Sequence, residues 1–417
     1  MTPDTTAAAR KDSPFRWEVV GLLWLAYFLN QADRQIFGVT LPLIKADFGL
    51  SSTQMGLIAT TFTIVFGLAV PLAGMIGDMV RRERVVVFAL FVFSVGTLLT
   101  GHAGGFMLLL VYRGIATGLG EAFYAPAANT LVAEHHVTRR GTALALHQTA
   151  NYTGVVLGSL FAGWVADHYG WRAAFYLFGG LGLVWAIVIL IRSGRYAATQ
   201  EKRRSSVRQD MALLPEALVK IATTPALIAQ VIGFSGLVFI LVGYLTWTPS
   251  LLRERFRMPL AEAGFQSVLW HHVLAYGGLL VTGALSDRLV RYFPQARVVS
   301  MGLSLAACAP FLWLTATAAT PTVVLAALAG FGLFRGVYDA NLFAAIYQYV
   351  DDRLRSSVTG LIVAVAYVIG ALSPLMMGYL KDTYGLEAGL KVLSGAALLA
   401  GIAFMLILAG AKRKGSA

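Results

Sequence analysis

RSGRYAATQEKRRSSVRQDMALLPEALVK, residues 192–220, is the longest polar stretch in an otherwise apolar chain, and it divides the sequence in two. Six apolar runs precede it, near residues 17–44, 53–77, 85–101, 106–133, 141–166 and 173–191. Six follow it, near 225–252, 263–285, 298–317, 321–349, 357–380 and 387–410. Each is long enough for the roughly 20 residues that cross a hydrocarbon core, and the runs above 25 residues must tilt or protrude. The pattern predicts an all-α membrane protein of twelve transmembrane helices in two pseudo-symmetric six-helix halves. Residues 1–191 form the first half, 192–224 a cytoplasmic linker, and 225–417 the second half. In the linker, basic Arg203, Arg204 and Arg208 stand beside Met211, Leu214, Leu218 and Ile221, which recur at helical spacing, as in a short helix lying on the membrane surface.

Composition agrees. Of 417 residues, 57% are apolar and 13% charged, and mean hydropathy is +0.69, which excludes a soluble enzyme and a disordered chain. The single cysteine, Cys308, sits in an apolar run, so neither a disulfide scaffold nor redox chemistry is indicated. A net charge of +12 would suggest nucleic acid in a soluble protein. Here, however, 23 of the 33 Lys and Arg fall on the termini and on alternate loops, as the positive-inside rule requires of loops facing the cytoplasm. Both termini are therefore expected inside, in a cytoplasmic membrane, with the bilayer and not nucleic acid as partner. The opening residues lack a short apolar core with a small-residue cleavage site, so the first run is read as a retained span.

The halves repeat each other. Gly74-Met-Ile-Gly-Asp78 after span 2 matches Gly283-Ala-Leu-Ser-Asp287 after span 8. Tyr112-Arg113-Gly114 in span 4 matches Phe334-Arg335-Gly336 in span 10, and Asp167-His-Tyr169-Gly170 after span 5 matches Asp382-Thr-Tyr384-Gly385 after span 11. Parallel repeats around a polar linker suit transporters that rock about a midplane site.

Over almost its whole length the chain resembles the major facilitator superfamily, whose loop between spans 2 and 3 reads Gly-x-x-x-Asp-basic-x-Gly-basic-basic. Asp78, Arg82 and Arg84 fit that pattern. Met79, Arg81 and Glu83 depart from it. Asn30-Gln-Ala-Asp33-Arg34-Gln35 with Gly120-Glu121-Ala122 is similar to the spinster-like branch. Tyr112-Arg113-Gly114 through Glu121, and Gly170-Trp171-Arg172-Ala-Ala-Phe175, resemble the organic anion:cation symporters, which carry sugar acids and carboxylates. The resemblance implies an alternating-access carrier with an acid on spans 1 and 4 linked to coupling.

Six ionisable residues interrupt the spans: Asp33, Arg34, Arg113, Glu121, Arg335 and Asp339. A charge at a helix centre costs about 2.5–3.5 kcal/mol on insertion scales, so these groups must pair or face a wet cavity. Spacing i, i+4, i+8 puts Arg113, Thr117 and Glu121 on one side of span 4, and Arg335 can pair with Asp339 at i+4. Asp33 and Glu121 are the candidates for proton coupling. Arg34, Arg113 and Arg335 are candidates for a substrate carboxylate, because guanidinium binds it bidentately. Asp339, Tyr338, His147, Gln148 and Asn151 add polar groups to a substrate wall. Helix-to-helix ion pairs and hydrogen bonds are the competing reading of all these residues. Asp78, Arg81, Arg82 and Arg84, with Asp287 and Arg291 in the repeat, suit an inner gate that pairs when that mouth closes; an ordinary basic loop is the rival.

Adjacent His271 and His272 point about 100° apart, so no metal site is read from them. No phosphate loop, zinc-hydrolase motif or nucleophile elbow occurs. A membrane-embedded enzyme is therefore disfavoured, and energy without a cofactor must come from an ion gradient. The expected activity is proton-coupled symport of a small organic anion by a chain that works as a monomer. A spinster-like carrier of lysolipids or sphingolipids, or a proton-coupled exporter, is the alternative.

Overall fold

The computed structural model describes residues 14–136, 139–193 and 213–413. Arg203, Arg204, Arg208 and Met211 of the linker lie outside the described residues. Thirteen helices account for what is described. The first six are α1 (Arg16–Phe48), α2 (Ser52–Met79), α3 (Arg82–Gly101), α4 (Phe106–His135), α5 (Arg140–Tyr169) and α6 (Trp171–Ser193). The linker contributes α7 (Leu214–Thr223). Then come α8 (Pro225–Phe256), α9 (Leu260–Leu289), α10 (Ala296–Thr317), α11 (Pro321–Tyr347), α12 (Arg355–Tyr384) and α13 (Leu386–Arg413). Apart from α7, these are the twelve runs read from sequence, with ends displaced by a few residues.

Ten of the helices are long and apolar enough to cross a membrane by themselves. The two long helices below that threshold are α1 and α5. Their deficit is local: α1 carries Asn30, Gln31, Asp33, Arg34 and Gln35, and α5 carries His147, Gln148 and Asn151. The two pack side by side, so the polar segments are shielded from lipid by each other and by their neighbours.

Small residues make that contact close. A Cβ on Gly154 would meet the carbonyl oxygen of Phe28, and one on Gly158 would meet Ala32. Further along α5, Gly163 lies against Leu260 and Ala261 at the start of α9. On the C-terminal set, Gly378 lies against Ser52 and Thr53 at the start of α2. Backbones approach in this way only where no side chain intervenes.

Two helices are irregular. Residues Leu110–Thr117 of α4 form a π-helical segment, and α12 breaks at Ala371, three residues before Pro374, whose ring removes the hydrogen bond to the preceding turn. Thr60 of α2 repairs that break: its hydroxyl donates to the Ala371 carbonyl (2.5 Å) and accepts from the Leu375 amide (3.2 Å).

The N-terminal set (α1–α6) meets the C-terminal set (α8–α13) chiefly through α2 on α12 and α5 on α9. At the end of the bundle away from the linker these contacts are tight. Asp382 accepts from the Ser52 amide (2.9 Å), the Thr53 amide (2.8 Å) and the Thr53 hydroxyl (2.8 Å), while Asp167 accepts from the Ala261 amide (3.1 Å). At that same end Trp171 and Arg172 donate to Asp47 at 3.2 and 2.6 Å. The linker end differs. A cleft of about 480 Å³ opens there between α2 and α4 on one side and α12 on the other, with Leu214 of α7 at its edge.

If the α1–α5 contact sets the bundle's stability, Gly158→Val should lower the melting temperature of the detergent-purified protein, overpacking of this kind costing about 1–3 kcal/mol. Gly21→Ala, on α1 where a Cβ meets nothing within 4 Å, should leave it unchanged or slightly higher. Equal melting temperatures for both variants would contradict this account.

Candidate functional site

Three ion pairs lie within the spans, two between helices and one along a single helix, and they differ in access. The first is sealed. Asp33 of α1 and Arg113 of α4 are paired at 2.8 Å with side chains 2% and 3% exposed. Thr97 of α3 donates to the other Asp33 oxygen at 2.6 Å, and a second guanidinium nitrogen of Arg113 reaches the carbonyl oxygens of Asp33 and Arg34, each at 3.3 Å. The fork of Arg113 is thus occupied by its own chain.

The second pair is partly open. Arg34 donates from Nε to Glu121 and lies over the Phe66 ring, 4.1 Å from its centroid. The Arg34 side chain is 22% exposed and the Glu121 carboxylate is enclosed. The second oxygen of Glu121, Oε1, has no hydrogen-bond donor and lies beside the Asp33 carboxylate. Asp33, Arg34, Arg113 and Glu121 therefore form a quartet of zero formal charge.

The third pair belongs to the other set. Arg335 and Asp339 on α11 are 3.0 Å apart, one helical turn from each other, with side chains 18% and 27% exposed. His271 of α9 stands 3.4 Å from a terminal Arg335 nitrogen and is stacked on Phe331 at 4.8 Å.

Tyrosines link the two open pairs. Tyr367 of α12 packs against Phe66 at 5.4 Å and is within electrostatic reach of Arg34. Tyr152 of α5 meets His272 and Tyr276 edge-on at 6.0 and 5.3 Å and senses the charges of Arg335 and Asp339. Tyr27 lies near Arg34, Tyr152 and Tyr367 together. Ring contacts thus join each open pair to the other set, Arg34 through Phe66 and Tyr367 and Arg335 through His271, His272 and Tyr152.

The structure redistributes several residues proposed for a substrate wall. His147 is fully buried, stacked on Tyr27 at 4.9 Å with Nε2 3.3 Å from the Tyr124 hydroxyl. Tyr338 is fully buried with its hydroxyl against Gly233. Neither is on an accessible surface in this conformation, which corrects their expected placement: His147 is held by aromatic packing and Tyr338 by close approach to the glycine face of α8. Gln148 and Asn151 are half-buried. The even ladder expected for Arg113, Thr117 and Glu121 is also corrected. The π-helical turns shift the register, and Thr117 packs on Gly96 of α3 while Arg113 and Glu121 face α1.

At the linker end, Arg81 pairs with Glu83 and Arg82 with Glu134, while Arg297 pairs with Asp287 at 2.6 Å; each pair stays within one set. Arg82 also lines the cleft. Arg84 and Arg291 are exposed. The Asp78 side chain lies outside what is described. The residues that sequence reasoning missed are uncharged: Thr97 donates to Asp33, Phe62 lies under the Arg113 guanidinium at 4.9 Å, and Phe66 lies under that of Arg34. A hydroxyl one apolar helix away from an acid was the only signal for Thr97, and the phenylalanines carried none.

Comparison with known proteins places this geometry. Residues 23–374 match the family model described as Major Facilitator Superfamily. The hexuronate transporter of Bacillus subtilis is 28% identical over 394 residues, covering 90% of each chain. The cis,cis-muconate transport protein of Acinetobacter baylyi is 28% identical over 404 residues, covering 93% of each. Among solved structures, a bacterial homologue of the human lysosomal transporter spinster, inward-facing and occupied, superposes with TM-score 0.82 at 18% identity, covering 95% of this chain and 97% of that one. Twelve long helices, a repeated sequence and a match across most of its length show that this chain belongs to the major facilitator superfamily, a family of transporters and not of enzymes.

Proposed function

We propose that the protein is a secondary active transporter of the cytoplasmic membrane that carries a small organic anion, a sugar acid or related carboxylate, in symport with protons. The observation that carries this reading is the Arg34–Glu121 pair, a partly exposed guanidinium held by an enclosed carboxylate beside a second carboxylate. A substrate carboxylate competes with Glu121 for Arg34. Glu121 then takes a proton, which removes its negative charge and supplies a donor toward Asp33. The transported proton is thereby tied to substrate binding. Both transport proteins compared above are named for carboxylates, which supports an anion, whereas the likeness to the spinster homologue, at 18% identity, bears on fold alone.

The halves 1–191 and 225–417 act as the rocking units, joined by the linker 192–224, and one chain supplies both. The basic termini and linker support a cytoplasmic position for the linker end. The conformation with its cleft at that end is then open inward, and the set-internal pairing of Arg81, Arg82 and Asp287 fits a released inner gate.

In proteoliposomes with an inward proton gradient, Glu121→Gln should abolish accumulation of labelled glucuronate while leaving exchange across equal concentrations measurable; gradient-driven accumulation at the wild-type level would refute the coupling role. For the sealed pair, Arg113→Leu strands the Asp33 carboxylate in the interior and should destabilise by about 3–5 kcal/mol. Thermal unfolding in detergent should show most of this recovered in the double variant Asp33→Leu/Arg113→Leu. An additive double variant would contradict a sealed brace.

A further inference from the structure

We infer that the transported anion carries two carboxylates, one taken by each half. This rests on the organic-anion reading above. Arg335 and Asp339 are not needed to bind a monoacid at Arg34, yet they reproduce on the opposite half what Arg34 and Glu121 provide: a guanidinium about one-fifth exposed, held by a carboxylate. Both pairs lie beside the meeting of the two sets, Arg34 reaching Tyr367 of α12 through Phe66 and Arg335 reaching Tyr152 of α5 through His271 and His272. The contrast with Asp33–Arg113 is instructive, because that pair is closed to solvent and its nitrogens are satisfied by main-chain oxygens. Two open pairs and one closed pair give two exchangeable anion sites.

His271 adds a directional element. Its Nε2 lies 3.4 Å from a terminal nitrogen of Arg335, which as a guanidinium can only donate, so the imidazole accepts there and steadies the arginine while its partner changes. Charge then balances. A dianion displaces Glu121 from Arg34 and Asp339 from Arg335, each displaced acid takes one proton, and the loaded site has the same formal charge as the empty one.

Glucarate and gluconate share a six-carbon chain and differ in having two carboxylates or one, so they are the test. In proteoliposomes the wild type should show a KM for glucarate at least tenfold below that for gluconate, and Arg335→Gln should erase the preference, bringing the two values within about twofold of each other. Glucarate uptake should be indifferent to a potassium–valinomycin potential, whereas Asp339→Asn, which removes one proton, should make it potential-sensitive. Uptake of gluconate without preference for glucarate overturns the dianion and leaves the organic-anion reading intact; uptake of neither overturns both.

A different observation carries a second proposal. The repeated segments Asp167-His-Tyr-Gly170 and Asp382-Thr-Tyr-Gly385 end α5 and α12 with the same turn, their glycines at φ +84° and +89°. Each aspartate caps the N-terminus of a helix in the other set: Asp382 on α2 and Asp167 on α9. A carboxylate at a helix N-terminus binds both the free amides and the positive end of the dipole. We propose that the twin caps are the latch of the outer mouth, closed here and broken together when the carrier faces outward. Asp382 is the stronger arm, with three donors and Lys45 3.7 Å away, against one donor for Asp167.

Ser159 is buried behind the latch, its carbonyl against Gly264, and Ser159→Cys gives a conservative reporter for a membrane-impermeant maleimide applied from outside. Labelling should accelerate at least threefold in Asp382→Ala, less in Asp382→Asn or Asp167→Ala, and most in Asp167→Asn/Asp382→Asn. A wild-type labelling rate in that double variant, with its melting temperature unchanged, overturns the latch.

Discussion

Everything at the centre of this protein follows from placing an acid and a base side by side on one membrane helix. Asp33 and Arg34 are adjacent, so on a helix they point about 100° apart and cannot satisfy each other. In an apolar interior each must find a partner on another helix, and both partners come from α4, eight residues apart: Arg113 for Asp33 and Glu121 for Arg34. That crossing pattern fixes the rotation of α1 against α4. The π-helical turns of α4 bring Arg113 and Glu121 to the same neighbour while Thr117 turns to α3.

The cost of this polarity falls on α1 and α5, the two long helices whose composition alone does not qualify them as spans. They remain in the bundle because their backbones pack closely through Gly154 and Gly158. The glycines and the polar residues are parts of one solution: close packing excludes lipid from groups that lipid cannot solvate. The reverse holds for the apolar helices, which show Phe88, Leu190 and Leu399 on their outer surfaces, as expected where the solvent is hydrocarbon.

The twelve spans were legible because hydrophobic length is read directly by the bilayer, and the repeat was legible because turns such as Tyr169-Gly170 and Tyr384-Gly385 need glycine at positive φ. The Arg335–Asp339 pair was legible as an i, i+4 spacing. What sequence could not supply was register across helices. The spacing of Arg113, Thr117 and Glu121 assumes 3.6 residues per turn, which the π-helical segment does not keep. His147 and Tyr338 look like site residues on a polar stripe, yet Tyr27 and Gly233 enclose them. The helix caps by Asp167 and Asp382 join residues 94 and 330 positions apart, beyond the reach of any periodicity.

Charge neutrality ties the centre to the ends. The quartet and the Arg335–Asp339 pair are each neutral when empty, and in the symport proposed above proton-plus-anion loading would keep them neutral, so that both states could close around the site without burying net charge. A carrier holding anion without proton, or proton without anion, must bury an unpaired charge. At about 2.5–3.5 kcal/mol per charge near the bilayer centre, its closure is suppressed roughly a hundredfold, since about 1.4 kcal/mol is a factor of ten. Coupling of the proposed kind therefore needs no dedicated sensor. In that proposal the same electrostatics that decides where α1 packs would also decide which loaded states can close the cleft at the linker end and break the contacts at the far end, so that leak would be limited by the interaction that holds the fold.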